Sequence, residues 1–384
     1  MHRRWIGLAA TALWLGLSLS GTLLTGCGAG QPPDGGNATE TPPAVRDRHI
    51  GTPRSFELGL SSQPSEPTSS SYEKAFSFAG QVGELILIQR APPWEEFLPG
   101  GTLSKSTQEA TQREKLLAEE NRLQIFLAID PTDPADRGKL NLPGKLQGKN
   151  FADETVRQAF IAYVKYMTLN YEPRYLALGV EVNMYFEQQP DDFANFVSLY
   201  SDAYDAVKSI SPETLVFPTF QLEAMENLLS PTGAGPEWDL LDRFGSKMDV
   251  VAFSTYPSFV FKDPASIPAN YFSQIQSHST RPIAIAGAGY SSGPERDGLN
   301  QGTEAQQATF LRRLLTEADQ LNMAFVVWLA GRDPASPASP PFDLYDQMGL
   351  LHADGSAKPA SQVWAGQAAR PLEGGNPDSD GSSG

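Results

Sequence analysis

The chain has 384 residues with a formal net charge of −16, 40% hydrophobic and 10% aromatic residues. That balance allows a sizeable core but disfavours nucleic acid and anionic headgroups as direct partners. Its single cysteine, Cys27, lies near the N-terminus, so the body has no internal disulfide, cysteine metal cluster or thiol nucleophile; four scattered histidines give a zinc site little support. No cofactor is expected.

Residues 1–26 read as a secretion signal: His2, Arg3 and Arg4 precede an apolar stretch from Trp5 to about Leu19. This stretch is too short for a membrane span. Leu24-Thr25-Gly26-Cys27 then resembles the lipobox of bacterial lipoproteins, which implies a lipid on Cys27, a membrane attachment through it, and residence in the cell envelope. Gly28 after the cysteine fits sorting to the outer membrane. Residues 27–53 carry Gly, Pro, Asn and Thr and read as a flexible tether.

From residue 54 to 370 the chain alternates strand and helix eight times. The expected strands are Phe56–Ser61, Glu84–Gln89, Leu123–Ile129, the run from Tyr175, Leu215–Phe220, Met248–Ser254, Pro282–Ala286 and Met323–Leu329. Helical stripes lie between them. Val156, Phe160, Tyr163, Val164 and Met167 share one face, as do Phe193, Val197, Tyr200, Tyr204 and Val207. Helices are also expected near Trp238–Phe244 and Asn270–Ser277, and Thr303 with Gln306 is spaced as a capping box. Eight such pairs predict a parallel sheet closed as a single (β/α)₈ TIM barrel, since no Gly-rich phosphate loop follows the first strand. Residues 371–384 read as a disordered tail.

In such a barrel the C-terminal strand ends form the mouth. Glu181 closes the fourth strand and is the candidate acid, its structural alternative being a rim carboxylate satisfied by Arg90 or Arg332. Arg90, Trp94, Asn183, Tyr185, Tyr256, Tyr290 and Trp328 are candidate substrate contacts, because aromatic faces and polar side chains suit sugars. Strand alternation would aim Asn183 into the same cleft as Glu181. Asp130, followed by Pro131-Thr132-Asp133-Pro134, also fits turn chemistry.

With these residues in place the barrel resembles the retaining glycoside hydrolases of clan A. Glu181 matches the acid/base at the end of the fourth strand, Ser254-Thr255-Tyr256-Pro257 is similar to a segment of the endo-galactanases, and Trp328 matches the tryptophan ending the eighth strand. Gly349-Leu350-Leu351-His352-Ala353-Asp354-Gly355 with Lys358-Pro359-Ala360 looks like the last loop and helix start. The resemblance implies a carbohydrate ligand and a glycosidic bond as the site of reaction. Two positions depart from it. Val180 stands where the family has Asn, and Gly287 stands where it has the nucleophilic Glu. Retaining hydrolysis needs a second carboxylate about 5–5.5 Å from the acid, whereas inverting enzymes place theirs about 6.5–9.5 Å away. Three readings stay open. Glu223, Asp333 or Asp130 supplies the second carboxylate; the barrel is an inactive glycan-binding or envelope assembly protein; or Glu181 serves a different chemistry alone. An unrelated barrel enzyme would draw on Gly287, Gly289 and Gly331 as phosphate-binding glycines.

Overall fold

The computed structural model describes residues 44–229, 235–294 and 299–374. The signal over 1–26, Cys27 and the chain to residue 43 lie outside the described residues, as does 375–384.

Eight parallel strands form the ring: β1 Glu57–Ser61, β2 Leu85–Arg90, β3 Gln124–Ile129, β4 Tyr175–Leu178, β5 in two halves (Leu215–Phe217 and Thr219–Gln221), β6 Val251–Thr255, β7 Ile283–Ala288 and β8 Phe325–Trp328. β8 returns to β1, with Glu57 beside Phe325 and Leu60 beside Trp328. Pro218 separates the halves of β5. It has no N–H for the ladder, so the first half pairs with β4 and the second with β6. The ring closes through that bent strand.

The long outer helices are α1 Ser69–Val82, α2 Lys105–Glu120, α3 Glu154–Tyr171, α4 Pro190–Ile210, α5 Glu304–Gln320 and α6 Pro359–Ala368. Their starts follow capping chemistry. Thr68, Ser104, Asp153 and Thr303 each accept a backbone N–H from the first turn. The α3 stripe is wholly buried, and so are Phe193, Tyr200 and Val207 of α4. The helices expected after β5 and β6 are short 3₁₀ turns instead, at Trp238–Phe244 and Ser273–Ser277. Pro257, Pro264 and Pro268 break the β6 connection before a helix can extend.

The segment read as a tether meets the barrel before residue 53. Val45–Arg48 forms a 3₁₀ turn, and Arg46 donates to the Gly83 and Arg122 carbonyls at 2.8 and 2.9 Å. Arg54 bridges to Leu372, so chain entry and exit lie together at the base, where β2 and β3 begin. Residues 371–374 are therefore part of the packed body rather than the tail.

Inside the ring, Phe126, Tyr175, Phe217 and Phe325 form an aromatic layer, with Tyr175 and Phe325 centroids 4.5 Å apart. Beneath it Glu57 Oε2 accepts from the Tyr175 hydroxyl at 2.7 Å and lies 3.2 Å from Arg174 Nε. Burial pushes the Glu57 carboxyl above its ordinary value, and Tyr175 and Arg174 offset this only in part. The folded state thus holds this proton more tightly than the unfolded one. Its stabilising contribution is complete below about pH 4.5 and is lost as pH rises through the folded pKa. Glu57→Gln should therefore gain in Tm relative to wild type as pH is raised from 4 to 7. Thermal melts across that range check it; a variant that loses ground with rising pH would show that the Arg174 pair outweighs burial.

Candidate functional site

The end of β4 is a sharp turn. Gly179 has φ of +110°, and a Cβ there would lie 2.7 Å from Phe196 Cζ and 2.8 Å from Val182 Cγ1, so glycine is required for both conformation and space. Glu181 follows with φ of +52°, a left-handed conformation unusual for a residue with a side chain. Its N–H donates to Thr219 Oγ1 at 3.0 Å, tying the turn to β5. The helix Val182–Gln188 starts immediately after.

That turn aims Glu181 into the barrel, where it has no solvent exposure. Its carboxylate is already partnered. Ser254 Oγ donates to Oε1 at 2.5 Å, and Arg137 Nε donates to Oε2 at 3.2 Å. Arg137 is equally sealed and reaches Asp130 Oδ2 at 2.6 Å and Thr132 Oγ1 at 2.9 Å. Gln89 Nε2 adds a further bond to Asp130 at 2.9 Å. The guanidinium thus joins two carboxylates, and neither Arg90 nor Arg332 is the partner. Arg137 sits on a small hairpin, Thr132–Asp133 with Asp136–Leu140, inserted after β3. The Gln188 amide bonds Asp136 Oδ1 at 3.2 Å and the Gly138 N–H at 3.1 Å, so the hairpin and the helix behind Glu181 pack as a unit.

The electrostatics follow from burial. Desolvation pushes the Glu181 carboxyl up, while Arg137 and the Ser254 hydroxyl pull it back without cancelling the rise. For Arg137 burial alone would lower the pKa, but Asp130 and Glu181 outweigh it and the charge is held.

A pocket enclosing about 560 Å³, mouth included, opens above the aromatic layer, with Phe126 in its floor. Glu181, Ser254, Tyr256, Gly287, Gln89 and Ser61 contribute its polar edge and backbone; Leu87, Val180 and Leu329 are among its apolar walls. Glu181 is the one carboxylate among the lining residues. Across from it Gly287 is paired in register with Ser254, and the Tyr256 hydroxyl lies 3.0 Å from where a Gly287 Cβ would be. Tyr256 packs edge-on against Tyr345, whose buried hydroxyl has no hydrogen-bond partner among the described residues.

Of the candidate second carboxylates, Asp130 shares the Arg137 cluster with Glu181, and none lines the pocket. Glu223 is buried outside the pocket lining, its Oε1 accepting from Tyr271, Thr255 and the Tyr256 N–H at 2.6–2.8 Å and its Oε2 from Gln221. Burial raises its pKa against the Tyr271 and Thr255 hydrogen bonds, and its role here is to hold Tyr256. Asp333 pairs with Lys358 at 2.6 Å and accepts the Gly349 N–H. Asp130 is committed to Arg137.

Of the expected substrate contacts, Tyr256 lines the pocket and the others do not. Gln89 faces inward, so its neighbour Arg90 faces outward and pairs with Glu114. By the same alternation Leu329 lines the pocket while Trp328 is buried against Phe310 and donates to the Met348 carbonyl at 2.7 Å. Trp94 donates to the Asn141 carbonyl and Tyr290 to the Phe261 carbonyl. Tyr185 bonds Asp192. Asn183 does not share the cleft, because the backbone turns helical at Val182; its amide instead straps the Gln221 backbone at 2.8 and 3.0 Å. Sequence reasoning missed Arg137, Gln89, Ser61 and Tyr345. Only Gln89 carried a signal, the inward phase it shares with Leu87 on β2.

No known sequence family and no curated protein sequence matches the chain. Solved structures do. A GH5_18 variant from Bifidobacterium longum subsp. longum, in complex with Manβ1-4GlcNAc, superposes with a TM-score of 0.62 at 17% identity, covering 83% of this chain and 80% of that one. The exo-β-1,4-mannosidase Op5Man5 from Opitutaceae bacterium strain TAV5 gives 0.64 at 14%, covering 84% and 61%. Xylanase 10B from Thermotoga maritima gives 0.57 at 11%, covering 85% and 96%. The chain therefore shares the (β/α)₈ barrel fold found in these glycoside hydrolases.

Proposed function

We propose that this chain is a lipid-anchored envelope protein whose glycoside hydrolase-like barrel binds a poly- or oligosaccharide at its mouth without cleaving it. The observation that carries this reading is the pocket wall opposite Glu181, where Gly287 and the Tyr256 hydroxyl stand in place of a second carboxylate. Two-carboxylate hydrolysis has no partner there. The buried Arg137 and Ser254 contacts, moreover, leave Glu181 committed to the protein. Fold neighbours solved with sugars bound support a carbohydrate as the ligand.

One observation favours hydrolysis as a second reading. Burial raises the Glu181 pKa, the direction a proton donor requires, although hydrolysis would still need a carboxylate from elsewhere.

Anchoring rests on the Leu24-Thr25-Gly26-Cys27 sequence. The described chain enters at the barrel base, the end opposite the mouth. Bacterial expression with an alkyne-labelled fatty acid, followed by membrane fractionation, tests this. Labelled membrane protein that becomes unlabelled on Cys27→Ser supports the anchor, and an unlabelled wild-type chain removes it. Co-sedimentation with insoluble polysaccharides tests the ligand: retention on at least one neutral or acidic glycan is expected, and absence from every pellet contradicts the reading.

A further inference from the structure

A second pocket of about 410 Å³, its open mouth included, lies between β1, α1 and the loop after β8, and it shares Ser61 and Gln63 with the central one. Two cations line it, Lys74 on α1 and Arg332 after β8. Neither has a carboxylate or hydrogen-bond partner among the described residues. Lys74 is exposed and Arg332 half-buried, so both charges are open to a ligand in the pocket. Of the acids nearby, Glu73 pairs with Arg113 at 2.7 Å and Asp333 with Lys358 at 2.6 Å, Asp354 accepts from the Ser356 hydroxyl at 2.6 Å, and Glu66 adjoins the pocket through its N–H, which donates to Ser71 Oγ at 3.1 Å.

The surroundings support the cations as a ligand site. Gly355 has φ of +90°, which favours glycine, and the Arg332 guanidinium packs against it, a terminal nitrogen lying 2.8 Å from where a Cβ would be. Gly331 likewise presents no side chain; a Cβ would lie 2.8 Å from Phe78. Ser65 and Ser71 hydroxyls lie 3.2 Å apart on the α1 side, near the positive end of that helix. The Gln63 side-chain amide borders both pockets and has no hydrogen-bond partner among the described residues.

We propose that this pocket is a subsite for an oxyanion carried by a sugar (a uronate carboxylate, a sulfate or a phosphate ester), held by Arg332 and Lys74 and reached by a chain whose neighbouring unit occupies the central pocket. Arg332 supplies a planar fork for two oxygens and Lys74 a point charge. This rests on the reading of the barrel as a glycan binder.

Isothermal titration of the full chain at constant ionic strength separates the two. The ligands are sodium sulfate, sodium glucuronate, uronate-containing oligosaccharides and their neutral counterparts. The expected result is that acidic oligosaccharides bind at least 10-fold more tightly than neutral ones. Lys74→Ala and Arg332→Gln should each abolish that preference while leaving neutral binding and the thermal melt unchanged. Equal binding of acidic and neutral chains, or a preference that survives both variants, overturns the subsite and leaves the glycan reading standing. Sulfate or glucuronate binding that depends on Arg332, with no oligosaccharide bound, does the reverse and makes this a free-anion site.

Discussion

Replacing Arg137 with methionine should destabilise the protein by about 3–5 kcal/mol, the range for breaking a buried ion pair from one side. The guanidinium is unexposed and bridges two buried carboxylates, so its removal leaves Asp130 and Glu181 facing each other without a cation. In a chain of this size the Tm should fall by on the order of 10 °C. Neutralising both acids in the same background (Asp130→Asn with Glu181→Gln) should recover most of the loss, because the cost lies in unpaired charge rather than lost volume. Thermal melts of the three proteins measure this. An Arg137→Met variant melting within about 2 °C of wild type would mean that water reaches the cluster and that Glu181 is not sealed.

Gly287→Glu should also be costly, by about 1–3 kcal/mol, as expected for a new side chain forced against a packed neighbour. A Cβ at this position already presses on the Tyr256 hydroxyl at 3.0 Å, so that ring must shift to admit it. Tyr256→Phe removes the obstructing oxygen. The two substitutions should therefore be less than additive in a double-mutant cycle, with a coupling of about 1 kcal/mol. Additive effects in denaturant titrations would show that Tyr256 does not occupy the space opposite Glu181.

The barrel was legible because its evidence is periodic and local. Runs such as Leu85–Arg90 and stripes such as Val156 to Met167 report burial through repeats that each segment carries by itself. Glu181 at the mouth followed from the same logic, since a charged residue ending a buried strand has few other places to go. Its neighbours were not legible. Arg137 reaches it from a hairpin whose side-chain directions no repeat encodes. Asn183 was misplaced because strand alternation stops where Gly179 and Glu181 turn the backbone left-handed. Aromatics such as Trp94, Tyr290 and Trp328 suit a sugar platform and a packed interlayer equally well by residue type. Only strand phase separates the two, and it placed Gln89 and Leu329 inward in their stead.

The central claim is that the pocket engages a glycan and returns it intact, and proton NMR of an oligosaccharide with the protein tests both halves in one sample. Saturation transferred from protein to sugar-ring protons, with no new reducing-end anomeric signals after prolonged incubation, is the result predicted. New anomeric signals that vanish in Glu181→Gln would contradict it, as would the absence of transfer to any glycan offered.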